Sequence, residues 1–259
     1  MMARGPSGVV VKIARWRPWV TDLPNVVILT GAGVSAESGL KTFRDSGGLW
    51  ENFRIEDVAT PEAFMTNPDL VYHFYNMRRK QLQEAAVQPN AAHYALAELE
   101  TQLGDKFILI TQNVDDLHER AGSERVIHMH GQLRSARCLS SGKAIPWDDD
   151  FSAADRCSCC APQSPLRPDI VWFGEMPMQM DEIYYKLSQA DLFISVGTSG
   201  QVYPAAGFVQ IANEFGADTV ELNLEPGDQH TSFNQSIHGH ASKVVPEFVA
   251  ALLQSWKDK

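Results

Sequence analysis

The feature that most constrains the fold is an apolar run that leads straight into a glycine turn. Residues 26–30 read Val-Val-Ile-Leu-Thr, and residues 31–35 read Gly-Ala-Gly-Val-Ser. Glycines at such a turn let backbone amides approach a phosphate, and the N-terminus of a following helix adds partial positive charge. The turn lacks the three spaced glycines of a full dinucleotide fingerprint. Taken alone, it fits either a phosphate-binding loop or a tight strand-to-helix turn that binds nothing.

Apolar runs of strand length recur along the chain and alternate with segments of helical spacing. The runs occupy residues 107–111, 191–196 and 219–224. The clearest helical segment is 91–103, and its predicted apolar face consists of Tyr94, Ala95, Leu96, Leu99 and Leu103. This alternation predicts an α/β fold with a doubly wound, Rossmann-like parallel sheet covered on both sides. Ligands of such a sheet gather at the carboxyl ends of its strands.

Two stretches interrupt the alternation. Residues 134–168 contain all 4 cysteines and almost no periodic apolar face, which predicts a small insert tied by a metal. Residues 43–61 are rich in glycine, aspartate and aromatic residues, which is typical of a loop over a ligand. We therefore expect an N-terminal extension, 1–24, before a main domain, 25–259. Its parts would be a large dinucleotide-binding unit (25–45, 90–133 and 170–259) and an inserted, smaller zinc-binding and helical domain (about 46–89 and 134–169).

Composition narrows the range of partners. The chain has 32 acidic and 22 basic residues and a net charge of -10, so we expect no direct nucleic-acid partner. No apolar run reaches membrane-spanning length, and we expect no membrane partner. The cysteine spacing is unlike a secreted disulfide framework, and no signal peptide is recognisable, so we expect a soluble, cytoplasmic monomer. The basic residues 1–20 fit either a simple extension or a targeting leader.

Six short motifs follow one another along the chain. They are residues 31–44 (Gly-Ala-Gly-Val-Ser-Ala-Glu-Ser-Gly-Leu-Lys-Thr-Phe-Arg), 111–115 (Thr-Gln-Asn-Val-Asp), 128–131 (His-Met-His-Gly), 171–175 (Val-Trp-Phe-Gly-Glu), 197–199 (Gly-Thr-Ser) and 223–225 (Asn-Leu-Glu). In this order and spacing, the series resembles the sirtuin family of NAD-dependent protein lysine deacylases over residues 26–246. Within that family it is similar to the bacterial, CobB-type enzymes of the class III branch.

The resemblance implies a deacetylase and desuccinylase that transfers the acyl group of a modified protein lysine to ADP-ribose. NAD would be the co-substrate, and nicotinamide would be released. The resemblance assigns catalysis to His130 as general base, with Asn113 and Asp115 contacting the ribose and the nicotinamide amide. An imidazole suits this role because its ordinary pKa of about 6.5 leaves it neutral and basic near pH 7. Without the resemblance, a lone histidine after a short strand is more often structural.

The same resemblance implies contacts along the whole co-substrate and along an extended peptide. The implied NAD-binding residues are Gly31, Ala32, Gly33, Ser35, Glu37, Phe43, Arg44, Trp50, Gln112, Asn113, Asp115, Gly197, Thr198, Ser199, Asn223, Leu224, Glu225 and Ala241. The implied peptide-binding residues are Val171, Phe173, Gly174, Glu175 and Val202. A peptide bound there would add as a strand through backbone hydrogen bonds, so its sequence preference would be loose.

A further implied subsite recognises the acyl group. Ala59 would line the acyl channel, and Tyr75 and Arg78 would bind a dicarboxylic acyl chain. From the residues alone, Tyr75 and Arg78 lie on one face of a predicted helix, where a phenol and a guanidinium could hold a carboxylate. The alternative is a solvated basic face, because residues 78–80 read Arg-Arg-Lys.

The cysteines depart from the usual zinc pattern of two Cys-x-x-Cys pairs. The resemblance implies a structural zinc ion held by Cys138, Cys157 and Cys160, but Ser141 stands where a fourth cysteine is expected. Cys159 could complete the set through a rearranged turn, water or another side chain could do so, or the site could hold zinc weakly. Reduced cysteines without an ion are the remaining alternative.

Two other functions stay open on the sequence. A mono-ADP-ribosyltransferase would use the same co-substrate site but pass the sugar to a protein nucleophile. A catalytically silent NAD sensor would bind the dinucleotide and act through partners, although such a protein has no need of a base beside the ribose.

Overall fold

The computed structural model describes residues 23–40 and 53–257 with their side chains, and the backbone of three further strand segments at 3–4, 10–11 and 49–50. The strands and helices follow in this order: β1 (Ala3–Arg4), β2 (Val10–Val11), β3 (Val26–Thr30), β4 (Leu49–Trp50), β5 (Phe53–Arg54), α1 (Ile55–Val58), α2 (Pro61–Thr66), α3 (Pro68–Leu82), α4 (Ala91–Leu103), β6 (Phe107–Thr111), α5 (Leu117–Arg120), β7 (Val126–His128), β8 (Gly131–Cys138), β9 (Ala144–Pro146), β10 (Leu166–Ile170), α6 (Met180–Ser188), β11 (Leu192–Val196), α7 (Phe208–Glu214), β12 (Asp218–Asn223), β13 (Gln235–His238) and α8 (Ala241–Lys257).

Six parallel strands form the main sheet in the order β13-β12-β11-β3-β6-β7. The chain builds β3, β6 and β7 outward on one side and then returns to place β11, β12 and β13 on the other side. The direction of building therefore reverses between β3 and β11. In open sheets of this kind, ligands bind beyond the carboxyl ends of the strands at such a reversal. The predicted doubly wound, Rossmann-like sheet is confirmed.

The central strand β3 is buried along its whole length because both faces of the sheet are covered. Val26 and Ile28 pack into the core that includes α4 and α8, whereas Val27 and Leu29 pack into a second core with α6 and α7. The alternation follows from the two-residue period of side chains along a strand. Two-sided burial also explains why the sequence shows a continuous apolar run rather than an alternating one.

Helix α4 lies at the segment that its apolar spacing predicts. It begins with a capping box, in which the Asn90 side chain accepts a hydrogen bond from Ala92 N (2.9 Å) and the His93 ring accepts one from Asn90 N (3.2 Å). The prediction that Tyr94 shares the apolar face is wrong, because Tyr94 is 53% exposed. It lies two residues before the buried Leu96, which is a step of about 200° around the helix.

A second, smaller layer combines α1–α3 with an antiparallel sheet of order β10-β8-β9. Residues 134–168, which are predicted as a small insert tied by a metal, contain most of that sheet. The buried positions of β8 include Ser135, Ala136 and Cys138. These side chains are small or weakly apolar, so the strand leaves little periodic signal in the sequence.

The predicted ligand loop at 43–61 includes residues 43–48 and 51–52, which lie outside the described residues. Its last part forms β5 and α1 rather than an irregular loop. Within the predicted N-terminal extension, β1 and β2 pair as antiparallel strands. None of the helices in the described part of the chain combines the length and the apolar character that crossing a bilayer requires.

Gly131, at the start of β8, gives a test of the packing between β8 and β10 in the smaller layer. It has a φ of +85°, and a Cβ there would overlap the carbonyl oxygen of Asp169 in β10. We expect Gly131→Ala to lower the free energy of unfolding by about 3 kcal/mol or more, because backbone strain adds to a steric clash. Urea unfolding followed by circular dichroism measures the loss.

Gly122→Ala is the matched control for this substitution. Gly122 also has a positive φ, +104°, but a Cβ there would meet nothing within 4 Å. Only the conformational strain of about 1–2 kcal/mol is expected. Equal losses in the two variants would contradict the clash with Asp169.

Candidate functional site

The loops after β3 and β11 approach each other so closely that both need glycine. Gly33 N donates to the carbonyl of Gly197 (2.8 Å), and Gly31 N donates to that of Val196 (3.0 Å). A Cβ on Gly33 would lie 2.7 Å from the Gly197 oxygen, and Gly197 has a φ of +62°. Contact between the two loops therefore explains these glycines even without a phosphate. It also holds the first loop at the crevice where the strand order reverses.

Ser35 joins the first loop to the segment after β6. Its buried hydroxyl donates to Asp115 Oδ2 (3.1 Å), accepts from Asn113 Nδ2 (3.2 Å) and lies 3.4 Å from His93 Nε2. Burial raises the pKa of Asp115 to about 6 and lowers the pKa of His93 to about 4. At pH 7 the carboxyl group is therefore mostly ionised and the imidazole neutral. We call these four residues the Ser35 cluster.

The ring of His130, which follows β7, is oriented by a backbone carbonyl. Its Nδ1 lies 3.1 Å from the carbonyl oxygen of Gln112, the residue before Asn113. A carbonyl only accepts, so Nδ1 carries the proton and Nε2 keeps the lone pair in the neutral ring. Burial lowers the pKa of His130 below its ordinary value. The ring is therefore held as a neutral base that can accept a proton at Nε2.

Side chains also link the loops after β6, β11 and β12. Gln112 Nε2 donates to Thr198 Oγ1 (3.0 Å), and Asn223 Nδ2 donates to the carbonyl of Thr198 (2.8 Å). Leu224 and Glu225 continue from the end of β12 and are exposed. The fold thus brings to one edge of the sheet the predicted NAD-binding residues at the ends of these strands and of β3. They are Gly31, Ala32, Gly33, Ser35, Gln112, Asn113, Asp115, Gly197, Thr198, Ser199, Asn223, Leu224 and Glu225.

The remaining predicted NAD contacts have other placements. Glu37 accepts hydrogen bonds from Ser242 N (2.9 Å) and Ser242 Oγ (2.6 Å) at the start of α8, beside the buried Ala241. Burial alone would raise the pKa of Glu37, but these hydrogen bonds hold it below its ordinary value. A carboxylate is favourable at a helix N-terminus. Phe43 and Arg44 lie outside the described residues, and for Trp50 only the backbone strand β4 is described.

Tyr75 and Arg78 lie inside the smaller layer rather than on a solvated face. They are 0% and 6% exposed, which excludes the basic-face alternative for Arg78. Tyr75 Oη accepts from Trp172 Nε1 (3.0 Å), and Arg78 Nη1 donates to Gln81 (3.0 Å). Ala59 belongs to the same buried cluster as Tyr75 and Trp172. The structure thus brings together the predicted acyl-channel residues and adds a tryptophan to them.

The two basic residues after Arg78 have different environments. Arg79 is buried, donates to the carbonyl of Leu133 (2.8 Å) and lies over the ring of Phe151 at 5.0 Å. Lys80 is exposed and pairs with Asp150 (2.6 Å). Only the last of the three basic residues therefore lies on a solvated face.

The segment after β10 carries most of the predicted peptide contacts and bridges the two layers. Val171 N donates to the carbonyl of His130 (2.9 Å), and Phe173 N donates to that of Ala59 (3.0 Å). The Phe173 side chain is 47% exposed, and Gly174 is exposed as well. The segment therefore runs from His130 toward the acyl-channel residues, and Phe173 and Gly174 are its exposed positions. We call this segment the peptide strip.

Two predicted peptide contacts are engaged within the chain. Glu175 turns toward Arg167, with Oε1 2.6 Å from its Nη1. Val202 is half-buried, and its carbonyl accepts a hydrogen bond from Ala206 N (2.9 Å). The contacts of Glu175 and Val202 are therefore within the chain, and each stabilises its own loop.

Cys138, Cys157, Cys159 and Cys160 form one cluster, whose Sγ atoms all lie within 4.8 Å of one another. The Sγ atoms of Cys138 and Cys160 are 3.6 Å apart, and those of Cys159 and Cys160 are 3.8 Å apart. Tetrahedral zinc with Zn–S bonds of ~2.3 Å places neighbouring sulfurs about 3.8 Å apart. The four thiols therefore fit a zinc ion. Ser141 Oγ lies 3.3 Å from Cys159 Sγ, so the alternative that Cys159 completes the set is the one favoured.

Sequence reasoning does not single out two residues of this site. His93 belongs to a local Asn-x-x-His capping pattern that could be recognised, but its contact with Ser35 spans 58 positions and leaves no local signal. Trp172 lies inside the motif 171–175, where a buried aromatic residue is typical of a core position. The hydrogen bond from Trp172 to Tyr75, which the sequence does not reveal, links it to the site.

The family model described as Sir2 family matches residues 31–204. The chain belongs to the Sir2 family, which confirms the resemblance found in the six motifs.

The relatives agree over most of the chain. It is 61% identical over 230 residues to an NAD-dependent protein deacylase of Yersinia pestis, a match that covers 89% of this chain and 83% of the relative. It is 58% identical over 240 residues to an NAD-dependent protein deacylase of Escherichia coli strain K12, covering 93% and 86%. The crystal structure of a Sir2 homolog in complex with NAD superposes with a TM-score of 0.78 at 41% identity, covering 89% of this chain and 90% of that one.

The cysteine cluster gives a direct test of metal binding. We expect protein purified without added metal to contain about one zinc ion per chain, as four thiolates specify. Cys159→Ser should lower this content because it removes one ligand. Inductively coupled plasma mass spectrometry measures the ratio. Ser141→Ala is the matched control and should retain zinc; an unchanged ratio in Cys159→Ser, or no zinc in the parent protein, would contradict the assignment.

Proposed function

We propose that this chain is an NAD-dependent protein lysine deacylase that removes acetyl and succinyl-type groups. The observation that carries the proposal is the Ser35 cluster, which joins the glycine loop after β3 to Asn113 and Asp115. The carbonyl of Gln112, the residue before Asn113, holds the His130 ring beside this cluster in the chain. Membership of the Sir2 family supports the same function, as do relatives named NAD-dependent protein deacylase at 58–61% identity.

NAD would lie along the edge of the main sheet, across the reversal between β3 and β11. The polar groups there fit a dinucleotide, because amide side chains can donate hydrogen bonds to it and carboxylates can accept them from its ribose hydroxyls. The N–H groups of Gly31 and Gly33 are already bonded within the protein and shape the loop instead. Asn113 and Asp115 would bind the ribose and the nicotinamide amide, while Asn223 and Glu225 would bind the adenosine end. When bound, NAD supplies the ribose carbon that takes up the acyl oxygen as nicotinamide leaves.

His130 would act as the general base. Because Nδ1 is tied to the Gln112 carbonyl, only Nε2 is available to accept a proton. Burial lowers the pKa of the ring, so the neutral form is present at pH 7. Nε2 would take the proton of a ribose hydroxyl, whose oxygen would then bond to the acyl carbon. Water would add as the bond between that carbon and the lysine nitrogen breaks, so that lysine leaves as the free amine and the acyl group stays on ADP-ribose.

The acyl chain would extend from the peptide strip into the smaller layer, past Ala59 toward Tyr75 and Arg78. A buried guanidinium attracts a carboxylate through charge-assisted hydrogen bonds, and the phenol adds a second polar contact. A succinyl group brings such a carboxylate, whereas an acetyl group does not. Binding of the acetyl group would therefore depend little on Arg78.

The products of the reaction test the proposed function. We expect nicotinamide release from NAD only when an acyl-lysine peptide is present, and acylated ADP-ribose should be detected by mass spectrometry. His130→Asn should reduce turnover by about a hundredfold or more, as loss of a general base does. ADP-ribose attached to protein would instead support a mono-ADP-ribosyltransferase. Release at background with both acetyl and succinyl peptides would leave only a silent NAD sensor.

The acyl subsite is tested by Arg78→Met. We expect kcat/KM for a succinyl-lysine peptide to fall by more than about tenfold, because a charge-assisted hydrogen bond is lost, while kcat/KM for the matched acetyl peptide changes by less than about threefold. Steady-state kinetics on one peptide with the two acyl groups measures both. Lys80→Met removes the exposed basic neighbour and should change neither value. Equal losses for the two acyl groups in Arg78→Met would argue for a structural role.

A further inference from the structure

Arg167, in β10, contacts the proposed acyl subsite through Trp172, and the proposed reaction gives it no role. Its guanidinium carbon lies 3.5 Å from the centroid of the Trp172 ring. Nη1 and Nη2 donate to the two carboxylate oxygens of Glu175 (2.6 and 2.9 Å), and Nη2 also donates to the carbonyl of Ile170 (2.9 Å). A bidentate pair of this kind fixes the plane of the guanidinium group.

Trp172 is in turn held from several directions. It is 2% exposed, its backbone N–H donates to Glu175 Oε2 (2.8 Å), and the ring of Phe64 packs against it at 5.2 Å. The flat guanidinium of Arg167 stacks on the indole in a way that an ammonium group cannot reproduce. The indole therefore cannot rotate without losing the stacking with Arg167.

The indole then determines how Tyr75 presents its hydroxyl group. Trp172 Nε1 donates to Tyr75 Oη at 3.0 Å. An indole N–H can only donate, so it takes up an acceptor position of the phenol and directs the phenol's own proton elsewhere. Burial raises the pKa of Tyr75, so the phenol keeps that proton. Tyr75 is therefore set as a hydrogen-bond donor, one helical turn from Arg78.

We infer that Arg167 is a positioning residue for recognition of the acyl carboxylate: through the stacked indole of Trp172, it orients the Tyr75 hydroxyl to donate to that carboxylate beside Arg78. This inference rests on the proposed desuccinylase function. Arg167 acts through Trp172 rather than on the acyl group, because its guanidinium lies on the indole ring and is held there by the bidentate pair with Glu175. Its charge is also matched by Glu175. Burial alone would raise the pKa of Glu175, but the hydrogen bonds from Arg167 and from Trp172 N hold it below its ordinary value.

Two substitutions test this chain of contacts by different routes. Arg167→Leu removes the stacking and the bidentate pair, and Trp172→Phe keeps an aromatic ring but removes the N–H donor. For each, we expect kcat/KM for a succinyl-lysine peptide to fall about tenfold, equivalent to about 1.4 kcal/mol, mainly through a higher KM. The matched acetyl peptide lacks the carboxylate and should lose less, so the succinyl-to-acetyl ratio of kcat/KM should fall. Because both variants interrupt one path, the double variant should lose little more succinyl selectivity than either single variant.

Arg167→Lys separates positioning from a simple effect of positive charge. A lysine keeps the charge but cannot stack flat or form the bidentate pair. We therefore expect Arg167→Lys to lose succinyl selectivity relative to the parent protein, as Arg167→Leu does. Arg125→Leu is the control. Arg125 pairs with Asp105 before the amino ends of β7 and β6, away from the carboxyl ends where the site lies, so this substitution should leave the succinyl-to-acetyl ratio of kcat/KM unchanged.

The outcomes distinguish the inference from the function on which it rests. A parent protein that deacetylates but does not desuccinylate overturns the desuccinylase assignment and the role of Arg167 together. A parent protein that desuccinylates, with an unchanged succinyl-to-acetyl ratio in Trp172→Phe and Arg167→Leu, overturns the role of Arg167 alone. Full selectivity in Arg167→Lys would also overturn it, because charge would then suffice. Should Arg167→Leu fail to fold, Trp172→Phe and Arg167→Lys still decide the question.

Discussion

The contact between the loops after β3 and β11 is the constraint on which the rest of the site depends. Adjacent parallel strands lie about 4.8 Å apart. The loops that follow β3 and β11 stay in contact beyond the strands, because Gly33 is hydrogen-bonded to Gly197 at a position where no Cβ would fit. Because the first loop is held there, Ser35 reaches Asn113 and Asp115 in the neighbouring loop. The polar groups are therefore positioned by backbone packing, and a ligand would meet them already assembled.

The sequence predicts the main sheet well because its strands are buried on both faces. Such strands leave uninterrupted apolar runs, and the structure places β6 at 107–111 and β11 at 192–196, within one residue of the predicted bounds. The smaller layer is harder to predict. β8 buries mostly small side chains, such as Ser135 on one face and Ala136 on the other, which give almost no hydrophobic period. The sheet that β8 forms with β9 and β10 is visible only in three dimensions.

The candidate site divides in the same way. Residues that follow strands, such as Asn113 and Gly197, can be placed from sequence because the carboxyl ends of parallel strands share an edge. Contacts between distant segments cannot be placed in this manner. The roles of His93, Cys159 and Trp172 each depend on one partner or one cluster that a linear motif does not encode. The run at 78–80 shows the same limit, since three basic residues in a row have three environments.

The smaller layer encloses three arginines, of which Arg78 and Arg79 are buried and Arg167 is half-buried, and each has different partners. Arg79 donates hydrogen bonds to backbone and amide oxygens and lies over an aromatic ring; burial lowers its pKa to about 10, so it stays charged at neutral pH. Arg167 has a full carboxylate partner, Glu175. Arg78 donates to the neutral amide of Gln81. Burying a cation is unfavourable unless a partner compensates it. Hydrogen bonds, an aromatic ring and a carboxylate are the partners that the described residues supply to these three side chains.

Asp115 has a related consequence for the protein as a whole. Burial raises its pKa from the ordinary 3.8 to about 6, so the stability this group contributes is present below pH 3.8 and is lost as the pH rises through 6. At neutral pH the loss is about 3 kcal/mol. At neutral pH the folded chain therefore carries the unfavourable free energy of a buried, ionised carboxylate. A ligand that donates an N–H group to this carboxylate would stabilise its charge, and part of that free energy would then contribute to the affinity for the ligand.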